Sequence, residues 1–161
     1  MTDERQGEGL WEALERLPRG AGVVFRHYAT PAAERRRLFG RVVRVARVRG
    51  LVVVRAGAWC GAGADGAHNR RGRGLRTASA HSLAEAKAAV RGGADAVFVS
   101  PVFATRSHPG GEVLGLLGAE WIARSVRVPA IALGGMDAVR FRGMRRFYGW
   151  AAIDAWGSDA K

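Results

Sequence analysis

The chain has 161 residues and a formal net charge of +12, with 48% hydrophobic and 25% charged residues. That balance suits one globular domain over residues 1–161 and excludes a disordered chain. No apolar run reaches the roughly 18 to 20 residues that span a bilayer. The polar start Met1-Thr2-Asp3-Glu4-Arg5 also lacks the basic-then-apolar order of a signal peptide, so a cytoplasmic protein with no membrane partner is expected. Cys60 is the one cysteine, which excludes an internal disulfide and a cysteine-built zinc cluster. Beside Trp59 it reads as a small packed residue. The positive charge suggests nucleic acid. Against that, all but two of the 26 basic residues are arginine. Their runs, Arg35-Arg36-Arg37, Arg70-Arg71 and Arg145-Arg146, are scattered, and few aromatics interleave with them. Anionic small molecules are the expected partners, not nucleic acid.

Along the chain, short β-rich runs alternate with helical patterns. Residues 22–26 read as a buried strand. Residues 31–49 read as a helix opened by Pro31, with Leu38, Val42, Val45 and Ala46 at helical spacing and Gly50 as its stop. Leu51-Val52-Val53-Val54 is a continuous apolar strand of the parallel-sheet kind. The Gly- and Arg-rich stretch 56–74 is less regular, with short strands expected at 64–67 and 75–80. Ser82 with Glu85 three residues later predicts a capping box, and Gly92-Gly93 ends that helix. A strand is expected over 94–100 and a loop to about Gly115. A helix containing Trp121 and Ile122 follows, then a strand over 128–133 ended by Gly134-Gly135. A short helix over 140–147 and a last strand over 149–153 complete the pattern. Such alternation implies parallel pairing, in an open doubly wound sheet or a closed barrel. No G-x-G-x-x-G or phosphate-loop pattern follows a strand, and strand ends carrying Thr, Ser, His and Gly suit a barrel mouth.

From about His81 onward a series of motifs stands in one order. The first, Ser79-Ala80-His81-Ser82-Leu83-Ala84-Glu85-Ala86, resembles the S-x-H-[ST]-x-x-E-A at the fifth strand of the thiamine phosphate synthase/TenI family. Gly93-Ala94-Asp95-Ala96-Val97 resembles the opening of its sixth. Ser100-Pro101-Val102-Phe103-Ala104-Thr105-Arg106-Ser107-His108 resembles its GP-[IV]-F-x-T-x-[ST]-K loop, and Leu114-Gly115 the pair that follows. Pro129-Ala130-Ile131-Ala132-Leu133-Gly134-Gly135-Met136 resembles its seventh strand and glycine pair. More loosely, Thr2-Asp3 resembles the end of a first strand, Phe25-Arg26 part of the second, and Ala64-Asp65-Gly66-Ala67-His68 the fourth. The resemblance implies an α/β fold, a (β/α)8 TIM barrel, here shortened because most of the first strand and the last helix are truncated. It further implies a natural start upstream of Met1, or else a barrel left open or completed by a partner. An open edge would favour a homo-oligomer.

The family's main enzyme joins a pyrimidine diphosphate to a thiazole phosphate, releasing pyrophosphate, with Mg2+. The TenI branch instead isomerises a thiazole phosphate carboxylate by moving a proton. By resemblance, Thr105, Ser107 and His108 are phosphate contacts, and two hydroxyls and an imidazole after a strand suit that task on chemical grounds as well. Gly134 and Gly135 leave backbone N–H groups open to an anion. Ser79 lines the pocket, and Arg26 holds the diphosphate. His81 is the candidate catalytic acid–base, its ordinary pKa near 6.5 suiting proton transfer, while His68 is read as structural. The family's magnesium aspartates are absent: Val54-Arg55-Ala56 and Asn69-Arg70-Arg71 stand in their places, and Asp154 replaces a small or hydroxyl residue. Magnesium prefers carboxylate oxygens, so no metal ligands are assigned. Three readings follow. The first is a thiamine phosphate synthase-like transferase of thiamine biosynthesis. The second is a TenI-like tautomerase, and the third a non-catalytic phosphate-binding barrel.

Overall fold

Two units divide the chain in the computed structural model, which describes residues 1–105 and 110–156. The first comprises Met1–Leu75 and the described residues from Ile153 on; the second is Arg76–Ala152. The first unit begins with a 3-10 turn over Glu4–Gln6. It continues through helix α1 (Gly9–Arg16), strand β1 (Gly22–Phe25), helix α2 (Ala32–Arg49), strand β2 (Val52–Ala56) and strand β3 (Gly66–His68). Its strands pair in parallel in chain order, with Val23 opposite Val53, Val54 opposite Gly66 and Ala56 opposite His68.

Alternation along these strands sends Val23, Phe25 and Val53 to one face. There they pack with Leu10 and Leu14 of α1 and with Phe39, Val42 and Ala46 of α2. The buried stripe of α2 is Arg35, Phe39, Val42 and Ala46, one helical face. The sequence pattern centred that face on Leu38, Val42, Val45 and Ala46. The largest side chain decides otherwise: Phe39 is fully buried, edge-on to Phe25 at 5.2 Å, and Leu38 and Val45 are left on the flanks. Gly50 stops the helix as expected, in the left-handed conformation (φ 66°), with its N–H bonded back to the Ala46 and Arg47 carbonyls. Helix α1 was not foreseen. Its face toward α2 is fixed by Leu10 and Leu14 and by the Arg41 guanidinium, 4.2 Å over the Trp11 ring.

The second unit runs from β4 (Leu75–Ala80), whose first residue belongs to the unit before it. Then come α3 (Leu83–Arg91), β5 (Ala96–Val99), α4 (Gly115–Arg124), β6 (Ala130–Leu133), α5 (Ala138–Phe141) and β7 (Gly149–Ala151). These strands also pair in parallel and in order. Ala80, Val97, Val99, Ala130 and Ala132 form a core with Ala86 of α3 and with Ala119 and Ile122 of α4. The register sets Ser79 level with Phe98 and Ile131, on the face away from that core.

The α/β class with parallel strands is as the sequence predicts. Seven strands form among the described residues. Thr2 donates its N–H to the Val24 carbonyl at 2.9 Å, but Asp3 leaves the ladder to cap the 3-10 turn. The strand expected at 64–67 is displaced to Gly66–His68, and the helix expected over 140–147 ends at Phe141. No helix among the described residues is long and apolar enough to cross a membrane. Phe39→Ala would leave a cavity under β1 and lower stability by about 3–5 kcal/mol. Urea unfolding followed by circular dichroism checks this, and an unchanged midpoint would contradict the core assignment.

Candidate functional site

In the second unit, the residues singled out by sequence gather at the carboxyl ends of β4, β5 and β6. His81 follows β4. Its ring Nδ1 lies 2.8 Å from the Ser100 carbonyl oxygen. A carbonyl can only accept, so Nδ1 carries a proton, and in the neutral tautomer that keeps this bond the lone pair is at Nε2. The backbone beneath it is tied as well. Glu85 Oε2 accepts the His81 N–H at 2.7 Å, while Ser82 Oγ accepts the Glu85 N–H at 3.2 Å. This differs from the expected capping box by one residue, since the returning carboxylate reaches His81 rather than the Ser82 cap. The helix start therefore also orients the histidine. His81 is exposed, and its imidazole is open to a ligand.

Gly134 and Gly135 follow β6 with φ of 92° and 60°, backbone that suits glycine. Space imposes the same choice. A β-carbon on Gly134 would stand 2.8 Å from Pro101 Cα, and one on Gly135 2.5 Å from the Ala104 carbonyl oxygen. The close approach is sealed by Val102 N–H to the Leu133 carbonyl (2.9 Å) and Phe103 N–H to the Gly134 carbonyl (3.1 Å). The N–H groups of Gly134 and Gly135 bond to nothing among the described residues, as an anion-binding turn requires. Arg140, which the sequence reading missed, adds positive charge here. Its guanidinium donates to the Gly135 carbonyl, lies 5.1 Å over the Phe103 ring, and pairs with Asp137 at 3.7 Å. The signal available was an arginine one turn beyond the glycine pair. Thr105 is in the loop between β5 and α4, and Ser79 is on β4. Ser107 and His108 lie outside the described residues.

Arg26 belongs to the first unit, just beyond β1. Its N–H donates to Thr2 Oγ1 at 3.0 Å and its Nη1 to the Met1 sulfur at 3.9 Å. His68, at the end of β3, is buried. Burial, then the Arg26 charge, push its pKa from 6.5 down to about 4, so the ring is neutral at physiological pH, in keeping with a structural role. His27 was not singled out either. It is buried, stacked on Phe25 at 4.8 Å, with Nδ1 3.0 Å from Thr2 Oγ1. It lines a cleft of about 590 Å³ with Glu4, Trp11, Glu34 and Arg41. None of the candidate site residues named from the sequence lines it. Asp3 and, more weakly, Asp154 raise the Arg5 pKa.

With this geometry established, comparison with known proteins decides the family. The family model described as thiamine monophosphate synthase matches residues 3–147. The chain belongs to that family. A putative thiamine-phosphate synthase 2 of Aquifex aeolicus is 45% identical over 58 residues, 36% of this chain and 31% of that protein. A thiamine-phosphate synthase of Chloroflexus aurantiacus is 43% identical over 67 residues, 41% of this chain and 31% of that protein. The aligned part is thus about a third of the length of these curated relatives. The solved thiamine phosphate pyrophosphorylase of Pyrococcus furiosus superposes with a TM-score of 0.77 at 22% identity, over 99% of this chain and 86% of that one. The fold is shared with it.

The family resemblance implies Mg2+, and the residues present do not fit that ion. The end of β2 and the residues after β3 offer Arg55, Ala56, Asn69 and Arg70, with no carboxylate among them. Arg55 Nε is buried without a partner. Among the described residues no group of three His, Cys, Asp or Glu could hold a metal ion.

Two outcomes test the site's framework. Gly135→Ala should lower the melting midpoint by roughly 5–10 °C, through the positive φ and the clash with Ala104. An unchanged midpoint would contradict the close approach. The second outcome concerns His68, whose folded pKa lies below the unfolded value. Its contribution to stability is fully present above about pH 6.5 and is lost as pH falls toward about 4, while the unfolded chain takes up the proton. His68→Gln should flatten that part of the stability–pH curve by roughly 3 kcal/mol, and a curve parallel to wild type would contradict the burial of a neutral ring.

Proposed function

We propose that this chain is a thiamine phosphate synthase-like enzyme of thiamine biosynthesis. It joins a pyrimidine diphosphate to a thiazole phosphate. The thiazole ring nitrogen attacks the pyrimidine methylene carbon, the bond to the diphosphate oxygen breaks, and pyrophosphate leaves with the electron pair. No oxidant and no net proton transfer are needed. The observation that carries this reading is the glycine pair after β6, with two unengaged N–H groups and the Arg140 charge beside them, in a chain whose family match covers residues 3–147. Donors of this kind suit the thiazole's phosphate, with the hydroxyl of Thr105 and the side chains of Ser107 and His108 as further candidate contacts. Ser79 is a candidate pocket residue and Arg26 a candidate diphosphate ligand.

A specific observation favours a second reading, a TenI-like tautomerase. The bond from His81 Nδ1 to the Ser100 carbonyl leaves Nε2 as a base held in fixed orientation. In that reaction Nε2 takes a proton from one ring carbon of the thiazole and returns it at another position.

Incubation with the pyrimidine diphosphate and thiazole phosphate, followed by oxidation of thiamine phosphate to its fluorescent product, tests the first reading. Product is expected, and His81→Asn should reduce its rate less than about tenfold, since no proton moves. A loss of roughly 10²–10⁴-fold in tautomerisation of the thiazole carboxylate on the same substitution, with no condensation in wild type, would replace the first reading with the second.

A further inference from the structure

At the carboxyl end of β2 three consecutive carbonyl groups, those of Ala56, Gly57 and Ala58, are each engaged by a guanidinium. Buried Arg35 donates through Nη2 to the Ala56 carbonyl and through Nη1 to the Ala58 carbonyl, both at 2.7 Å, and Arg70 donates through Nη1 to the Gly57 carbonyl between them. Gly57, at φ 70°, lies against Tyr28: a β-carbon there would stand 2.8 Å from Tyr28 Cε1. Above the same ring, 5.8 Å from its centroid, is the Arg26 guanidinium. The contacts therefore run from Arg70 through Gly57 and Tyr28 to Arg26, within the first unit and at its strand ends. The register agrees, since Ala56 pairs with His68, the ring whose protonation the Arg26 charge opposes.

Neither Arg26 nor Arg70 pairs with a carboxylate among the described residues. Each spends one N–H of its guanidinium within the protein, Arg26 on a thioether, which is a weak acceptor. The remaining donors form planar forks that match two oxygens of a phosphate group, and their charge persists at any physiological pH. A divalent cation at this place would be repelled by the same groups.

We propose that Arg26 and Arg70 form a diphosphate-binding site that works without a divalent cation, the two guanidinium groups supplying the positive charge that a metal would otherwise supply. The proposal rests on the synthase reading for the identity of the natural diphosphate carrier, not for the binding itself.

Calorimetric titration of the full chain with inorganic pyrophosphate, in EDTA and again in excess Mg2+, tests it. The dissociation constant should agree between the two within about twofold. Arg26→Gln and Arg70→Gln should each weaken binding roughly tenfold or more. Arg44→Gln, an equal loss of charge on the exposed side of α2, should not. Circular dichroism confirms that each variant is folded. Binding seen only with Mg2+, or unchanged in both variants, would overturn the proposal. So would a single-stranded RNA that competes with pyrophosphate for these two arginines and binds more tightly, since the site would then be a nucleic-acid surface. The two readings fail separately. Pyrophosphate bound in EDTA without condensation would leave this site standing and remove the synthase. Condensation that requires Mg2+ would do the reverse.

Discussion

Gly135 comes so near the loop after β5 that a β-carbon would meet the Ala104 carbonyl oxygen at 2.5 Å, and the candidate site of the second unit follows from that approach. The strand-end loops interlock through Val102 and Phe103, whose N–H groups reach the Leu133 and Gly134 carbonyls. The glycine carbonyls are thereby turned toward protein donors, Phe103 and Arg140. Any side chain at these two positions would push the loops apart. The backbone that cannot carry a β-carbon here is also backbone without a side chain over its N–H groups, the feature on which the proposed phosphate site rests.

Charge explains how the first unit departs from its family. Two unit charges about 4 Å apart near a protein surface interact by about 4 kcal/mol, and a divalent ion doubles that figure. With Arg35 and Arg70 on the carbonyls of residues 56–58 and Arg55 Nε buried nearby along β2, repulsion of that order outweighs what a few neutral oxygens offer a metal. The same field favours an anion. It also contributes to the neutrality of His68, after burial. Two members of the arginine runs, Arg35 and Arg70, thus contribute to a local concentration of positive charge at these strand ends.

How much of this was legible in the sequence varied with the range of the interaction. Local signals worked. Ser82 and Glu85 start α3, Gly50 and Gly92 stop helices, and apolar runs give β1, β2, β5 and β6. Motif order placed Gly134, Gly135 and His81 at strand ends. Helix α1 went unseen because Glu8, at its cap position, makes no capping bond, and the helix opens on Gly9, a poor helix former. Arg35 was passed over because a charged residue on a core stripe reads as surface until its carbonyl partners, 21 and 23 residues away, are known. The tautomer of His81 depends on a carbonyl 19 residues on, and no pattern in the sequence carries that bond. Tertiary geometry, not propensity, decides the last two.

The most direct measurement is a titration of the full chain with 4-methyl-5-(2-phosphoethyl)thiazole, followed by phosphorus NMR in EDTA. The account predicts a saturable shift of the phosphate resonance that is lost in Gly134→Ala/Gly135→Ala while far-UV circular dichroism stays native. A resonance that does not move, or that moves equally in the double variant, would contradict a phosphate site built on the glycine pair.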